Sequence, residues 1–140
     1  MYRVLVPVDT DVDRALAQAE YVAALPDAAD AVEAIVLFVF HGEGSDLPDE
    51  LKQFKSASRI RSVRRAKEHL EELGVEVTVL DDSGDTAEDI TDEADRYDVD
   101  AIVLGTRKRS PVGKAIFGSV TQSVLLDTDR PVVVTGSPRE

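Results

Sequence analysis

The sequence predicts an α/β fold in which an open five-stranded parallel sheet carries four helices distributed over both faces. Short apolar runs alternate along the chain with segments whose apolar residues recur at helical spacing. The run at 34–40 is continuously apolar, as expected for a strand buried on both faces of a parallel sheet. With 140 residues, the chain is expected to form one domain over residues 1–140.

Apolar runs mark the strands, and helical spacing marks the segments between them. The strands are predicted at 4–8, 34–40, 75–80, 101–104 and 131–134. The helices are predicted at 12–25, at 51–73 with a break near Ser56, at 87–97 and from about Gly118 onward. Because strands and helices alternate, the strands are expected to pair in parallel through right-handed crossovers. A ligand is then expected at the carboxyl ends of the strands, where the strand order reverses.

The composition is strongly acidic, with 28 acidic and 16 basic residues and a formal net charge of −12. Long-range repulsion of this size disfavours nucleic acids and anionic membranes as partners. Asp outnumbers Glu 17 to 11 and Lys occurs only five times. This balance favours a halophilic protein, adapted to salt concentrations at which charges are screened within about 3 Å. The alternative is an ordinary acidic protein.

The absence of cysteine from the sequence excludes disulfides, thiolate nucleophiles and thiolate metal sites. Two separated histidines, His41 and His69, make a poor zinc site, so no metal ligands are predicted. The sequence contains no apolar stretch of about 18 residues, and the segment after Met1 lacks the blocks of a signal peptide. We therefore expect a cytoplasmic protein.

The segment that follows the fourth predicted strand is cationic. Between Asp100 and Asp127 there is no acidic residue, whereas Arg107, Lys108, Arg109 and Lys114 lie in that window. The window carries +4, so the remainder of the chain carries −16. It connects the fourth strand to a helix, and a helix N-terminus directs unpaired N–H groups and the positive end of its dipole outward. The segment is therefore a candidate anion site.

Small and hydroxylated residues flank this cationic segment. Gly105 and Gly118 would let phosphate oxygens approach the backbone closely, and Ser119 and Thr121 add hydroxyl donors. The alternative interpretation is that Ser119 or Thr121 caps the helix while the basic side chains are solvated.

These segments resemble a known family. The runs GTRKRS from Gly105, GSVT from Gly118 and PVVV from Pro131 resemble the C-terminal signature of the universal stress protein family, and VPVD at 6–9 resembles its first-strand motif. The resemblance implies a Rossmann-like sheet of order 3-2-1-4-5. It also implies an adenine nucleotide, ATP or else ADP or AMP, with or without Mg²⁺. Lys108 stands where nucleotide-binding members have a second glycine.

The resemblance also implies roles for individual residues. Asp9 would contact the ribose, the backbone of Val39 would read the adenine edge, and the loop after the fourth strand would hold the phosphates. A helix N-cap is the alternative role for Asp9 or Asp11. The expected nucleotide-binding residues are Pro7, Val8, Asp9, Val39, Gly105, Thr106, Arg107, Lys108, Arg109, Gly118, Ser119, Val120 and Thr121.

Other phosphate-binding classes fit less well. No G-x-G-x-x-G follows the first strand, and Gly113-Lys114 is followed by alanine, with Lys108 where a P-loop begins with glycine. A response-regulator receiver needs a lysine after the fifth strand. The sequence after that strand is Thr135-Gly136-Ser137.

The leading hypothesis is a nucleotide-responsive regulatory module of the stress response. Little or no hydrolysis is expected, because no carboxylate is placed by motif to activate water. One alternative is a dimeric interaction scaffold in which Lys108 has abolished nucleotide binding, and another is a slow ATPase or phosphotransfer relay. The resemblance further implies a homodimer formed through the fifth strand, by Pro131, Val132, Val133, Val134 and Thr135.

Overall fold

The computed structural model describes residues 1–39, 60–106 and 118–136 of the chain. The strands are β1 (Tyr2–Val8), β2 (Val32–Val39), β3 (Glu76–Asp82), β4 (Ala101–Gly105) and β5 (Val132–Thr135). The helices are α1 (Val12–Ala23), α2 (Ala28–Ala31), α3 (Arg61–Glu72), α4 (Thr86–Arg96) and α5 (Ser119–Asp127).

The strands form one parallel sheet of order β3-β2-β1-β4-β5, which confirms the predicted fold class and strand order. The four predicted helices correspond to α1, α3, α4 and α5. The additional helix α2 was not predicted, because four residues are too few to show a helical period. Residues 51–59 of the predicted long helix, with its break near Ser56, lie outside the described residues.

The sheet separates two layers of apolar side chains. On one face, Val4 and Val6 of β1 join a buried cluster with residues of α1 and α3. On the other, Leu5 joins a second cluster with residues of α4 and α5. This alternation is the two-residue period of a strand, so a strand made of consecutive apolar residues packs against both layers.

No helix among the described residues is both long and apolar enough to cross a membrane.

Gly74 ends α3 as the sequence predicts. Its φ of +83° lies in the left-handed region, which glycine adopts without a steric penalty. The N–H of Gly74 donates to the carbonyl of Glu71 (3.0 Å), and the N–H of Val75 donates to that of Leu70 (3.0 Å). This pair of bonds forms a Schellman motif, which reverses the chain directly into β3.

Three carboxyl groups lie close together where β3 ends beside α4. Burial, then a hydrogen bond and a like charge from Glu93, raise the pKa of Asp82 from 3.8 to about 6. Burial, and then the charge of Asp82, raise the pKa of Asp89. Arg96 lies 3.6 Å from Glu93 and offsets part of this repulsion. The cluster therefore binds protons more tightly in the folded protein than in the unfolded chain.

We predict that Asp82→Asn stabilises the protein at pH 7.5 and has no effect below pH 4. A carboxyl whose pKa is raised by folding contributes stability below its unfolded pKa, here 3.8, and this contribution is lost as the pH rises through about 6. The amide removes the ionised form and should raise the melting temperature by a few degrees at pH 7.5, measured by circular dichroism. Glu76→Gln, which removes an exposed carboxylate from the same strand, is the control. An equal effect of Asp82→Asn at both pH values would contradict the prediction.

Candidate functional site

A cleft opens where β1 and β4 separate. The two strands pair only at Val4 with Ala101 and at Leu5 with Ile102, and beyond this point they diverge. The cleft has a volume of about 370 Å³ and lies at the carboxyl ends of β1, β2 and β4. This is the position at which open parallel sheets bind ligands, because the order of the strands reverses here.

The structure brings together every described residue that the sequence predicted for the site. Those lining the cleft are Pro7, Val8, Asp9, Val39, Gly105, Thr106, Gly118, Ser119, Val120 and Thr121. The remaining predicted residues, Arg107, Lys108 and Arg109, lie outside the described residues.

Gln18 of α1 spans the gap between the diverging strands. Its amide nitrogen donates to the carbonyl of Pro7 on β1 (2.6 Å) and to that of Val103 on β4 (3.0 Å). The residue is 2% exposed, so both carbonyls are satisfied without water. The sequence alone did not identify this residue, because its role depends on the register at which two distant strands part.

Gly105 is required by the packing of Gln18. A Cβ atom at this position would lie 2.9 Å from Oε1 of Gln18 and 3.1 Å from its Cδ. The amide of Gln18 is fixed by its two hydrogen bonds, so it cannot give way easily. The sequence suggested that glycine here admits phosphate oxygens; the structure adds a reason internal to the protein.

The two aspartates in the loop between β1 and α1 have different roles. Asp11 is the N-cap of α1, where it accepts from the N–H of Arg14 (2.9 Å). The Asp9 carboxylate is therefore not the cap, and it lies in the cleft lining with its side chain 55% exposed. The hydroxyl of Ser62, fully buried on α3, donates to the backbone carbonyl of Asp9 and so anchors the loop to the adjacent helix.

The α5 helix points its N-terminus into the cleft. Gly118 is the N-cap and makes no side-chain capping bond, so the alternative that Ser119 caps the helix is wrong. The first bond of the helix runs from the N–H of Gln122 to the carbonyl of Gly118 (3.1 Å). The amides of Ser119, Val120 and Thr121 therefore lie in the turn that an α-helix leaves without internal acceptors. Positive charge at a helix N-terminus favours an anion at this place.

Gly118 contrasts with Gly105. Its backbone is extended, with φ −71° and ψ 170°, which any residue can adopt. A Cβ atom here would meet no atom within 4 Å among the described residues. Within the described part of the chain, the fold therefore imposes no steric need for glycine at position 118.

Two further predicted residues, Val39 and Thr106, differ in how their backbones are paired at the cleft. β2 pairs with β1 only as far as Phe38, so Val39 extends one residue beyond the end of β1 at the cleft. The N–H of Thr106, in contrast, donates to the carbonyl of Thr135 (3.0 Å) and is committed to holding β5. Thr106 therefore lines the cleft without a backbone donor to offer a ligand.

Sequence reasoning missed several residues that line the cleft: Thr10, Arg14, Gln18, Leu37, Phe38, Thr86, Ile90 and Leu104. The apolar members belong to strands and a helix that were predicted, and their inward positions follow from the strand and helix periods. Arg14 and Gln18 carried no signal beyond their place on α1.

We predict that the two motif glycines respond differently to alanine. Gly105→Ala should destabilise the protein by about 1–3 kcal/mol, because the new methyl group overlaps the fixed amide of Gln18. Gly118→Ala should destabilise the protein by less, about 1 kcal/mol or below, because the site is open and the loss comes from alanine being a poorer N-cap residue than glycine. Urea unfolding of the unliganded protein measures both values. Equal losses in the two variants would refute the distinction.

A model of the universal stress protein family matches residues 1–136. A curated relative, the universal stress protein of Mycolicibacterium smegmatis, is 35% identical over 77 residues, which is 54% of this chain and 59% of the relative. The match thus spans less than two thirds of the relative's length.

Solved structures resemble the whole chain. A universal stress protein from Archaeoglobus fulgidus has a TM-score of 0.78 and 30% identity, with 96% of this chain and 98% of that chain covered. The structure described as the universal stress protein from Archaeoglobus fulgidus in complex with dAMP has a TM-score of 0.72 at 24% identity, over 96% of this chain and 98% of that chain. Because the family model matches residues 1–136 of the 140, the chain belongs to the universal stress protein family.

Proposed function

We propose that the cleft binds an adenine nucleotide, most favourably ATP, and that the protein acts as a nucleotide-responsive module of the stress response. The observation that carries this proposal is the N-terminus of α5, whose first-turn residues line the same cleft as Asp9. Donors for phosphate and an acceptor for a sugar hydroxyl in one cleft match the two polar parts of a nucleotide.

The apolar part of the cleft suits the base. Leu37, Val39, Ile90 and Leu104 line it, and Val39 lies at the carboxyl end of β2, one residue beyond the last that pairs with β1, where its backbone would contact the adenine edge. A volume of about 370 Å³ falls in the range of small-molecule sites. The dAMP bound by the Archaeoglobus fulgidus protein supports the same ligand class for this fold.

The phosphates would lie over the segment from Gly105 to Thr121. The basic residues Arg107, Lys108 and Arg109 belong to that segment and add charge to the backbone donors, with or without Mg²⁺. In a chain of net charge −12, close backbone hydrogen bonds are the more dependable part of this interaction at high salt.

Slow hydrolysis or none is expected. Among the described residues lining the cleft, Asp9 is the only carboxylate, and Arg14 forms an ion pair with it at 2.8 Å. We therefore assign this carboxylate to the sugar and not to the activation of water. The nucleotide would thus be sensed rather than turned over.

We predict that Gly118→Val weakens ATP binding more than Lys108→Ala does. A branched side chain at the N-cap would keep the phosphates from the first-turn amides, and each hydrogen bond to a charged group contributes about 1.5–3 kcal/mol, or about tenfold to a hundredfold in affinity. Isothermal titration calorimetry at low and at molar salt gives both affinities. Gly118→Ala is the graded control.

A larger loss in Lys108→Ala than in Gly118→Val would show that charge rather than the backbone holds the phosphates. No heat with ATP, ADP or AMP for the wild-type protein would overturn the proposed function.

We also propose that the protein forms a homodimer through β5. This strand is at the sheet edge and pairs only with β4 among the described strands. In a parallel pair, alternate residues direct both backbone groups to the same neighbour. The N–H groups of Ile102 and Thr106 donate to the carbonyls of Pro131 (2.9 Å) and Thr135 (3.0 Å). The backbone groups of Val132 and Val134 therefore point away from the sheet, free to pair with a second β5.

We predict that Val134→Pro converts the dimer to a monomer. Proline removes one outward N–H but leaves the bonds from β5 to β4, and it is tolerated on an edge strand. Light scattering coupled to size-exclusion chromatography should give the monomer mass for Val134→Pro and the dimer mass for Val134→Ile, which keeps the N–H. A wild-type monomer, or a dimer that survives Val134→Pro with an unchanged dissociation constant, would contradict the proposal.

A further inference from the structure

Arg14 holds the carboxylate of Asp9 at the edge of the cleft. Its Nη2 and Nε atoms both donate to Oδ2 of Asp9, at 2.8 and 3.1 Å. The Asp11 N–H donates to Oδ1 of Asp9 at 2.9 Å. Arg14 also lies 3.7 Å from the carboxylate of Asp11, so its guanidinium is shared between two acids.

This arrangement follows from a short connection. β1 ends at Val8 and α1 begins at Val12, which places Arg14 in the first turn of the helix, directly beyond the loop. The Arg14 side chain is 23% exposed, whereas that of Asp9 is 55% exposed. The arginine is thus the more enclosed partner, and the carboxylate faces the cleft.

The hydrogen bonds limit what Asp9 can still accept. An ionised carboxylate offers about four acceptor positions. Among the described residues, three donors already reach Asp9: two from Arg14 on Oδ2 and one from Asp11 on Oδ1. One position, on Oδ1, remains for a ligand. A vicinal pair of sugar hydroxyls requires two.

We propose that Arg14 is a specificity-determining residue of the nucleotide site: by occupying Oδ2 of Asp9, it restricts this carboxylate to reading one sugar hydroxyl instead of two. The inference rests on the proposed nucleotide-binding function and adds a sugar preference to it. While the ion pair between Arg14 and Asp9 is intact, the cleft binds a ribonucleotide and one of its two monodeoxy analogues with similar affinity. Arg14 acts through Asp9 and is therefore a positioning residue.

The test compares AMP with 2′-deoxy-AMP and 3′-deoxy-AMP by isothermal titration calorimetry on the full chain. In the wild-type protein, one analogue should bind within about twofold of AMP, and the other should bind about tenfold more weakly because it lacks the hydroxyl that Asp9 reads. In Arg14→Met, which keeps the length of the side chain but has no donor, both analogues should be penalised about tenfold.

Two further variants separate charge from hydrogen bonding. Arg14→Lys keeps the positive charge but is a point donor rather than a fork, so at least one acceptor position on Oδ2 is freed. The analogue that binds like AMP in the wild type should then bind more weakly than AMP, but by less than in Arg14→Met. Lys67→Gln removes the same charge from the exposed ion pair with Glu71 and should leave both penalties as in the wild type. In an Asp9→Ala background, which has no side-chain acceptor, Arg14→Met should have no further effect on either penalty.

The inference is overturned if the wild type already penalises both analogues tenfold, if Arg14→Met and Arg14→Lys leave the penalties unchanged, or if Arg14→Met still changes them in the Asp9→Ala background. Absence of binding of AMP, ADP and ATP to the wild type would overturn the proposed function and this role with it. Binding with unaltered sugar penalties would overturn the role of Arg14 alone.

Discussion

The cleft depends on one buried amide. Where β1 and β4 part, the carbonyls of Pro7 and Val103 lose their place in the ladder, and a buried carbonyl without a partner costs about 1–3 kcal/mol. Gln18 supplies both missing hydrogen bonds from a single nitrogen. It allows the strands to separate without exposing the sheet interior to water. Pro7 lies shortly before Asp9 in the chain, and Val103 lies shortly before Gly105. The two hydrogen bonds of Gln18 therefore fix the positions of both site residues.

The second constraint is electrostatic. The chain carries −12, which disfavours the approach of an anionic ligand, and a cationic segment such as the one between Asp100 and Asp127 reduces that repulsion locally. Side-chain charges can offset this repulsion, but salt screens them within a few ångströms at molar concentration. The amides at the start of α5 are fixed in the helix and act at hydrogen-bond distance, so salt affects them less. An acidic protein that binds nucleotide gains most from donors of this kind.

The sequence predicted the strands and helices better than the side-chain contacts of the site. Continuous or alternating apolar runs located every strand of the described residues, and the strand order implied by the resemblance and the start of α5 are confirmed. The choice between Asp9 and Asp11 as helix cap stayed open, because it depends on how many residues the turn after β1 contains. Gln18 could not be identified, since its partners lie 11 and 85 residues away and meet only after the sheet has formed. Arg14 was missed for a different reason: its contact with Asp9 is local and exists only because the loop is short.

The two motif glycines indicate that one family motif can contain a residue needed for folding and a residue needed for binding. Gly105 is needed inside the protein, where a methyl group would overlap Gln18 whether or not a ligand is present. Gly118 has open space around it among the described residues, so no packing contact in that part of the chain requires the missing side chain, whereas a phosphate group on the helix N-terminus would give a reason for it. A protein of this fold that had lost its ligand would still require Gly105 as long as Gln18 spans the strands. The described residues place no such steric requirement on position 118, and the glycine found there is therefore the more informative of the two about binding.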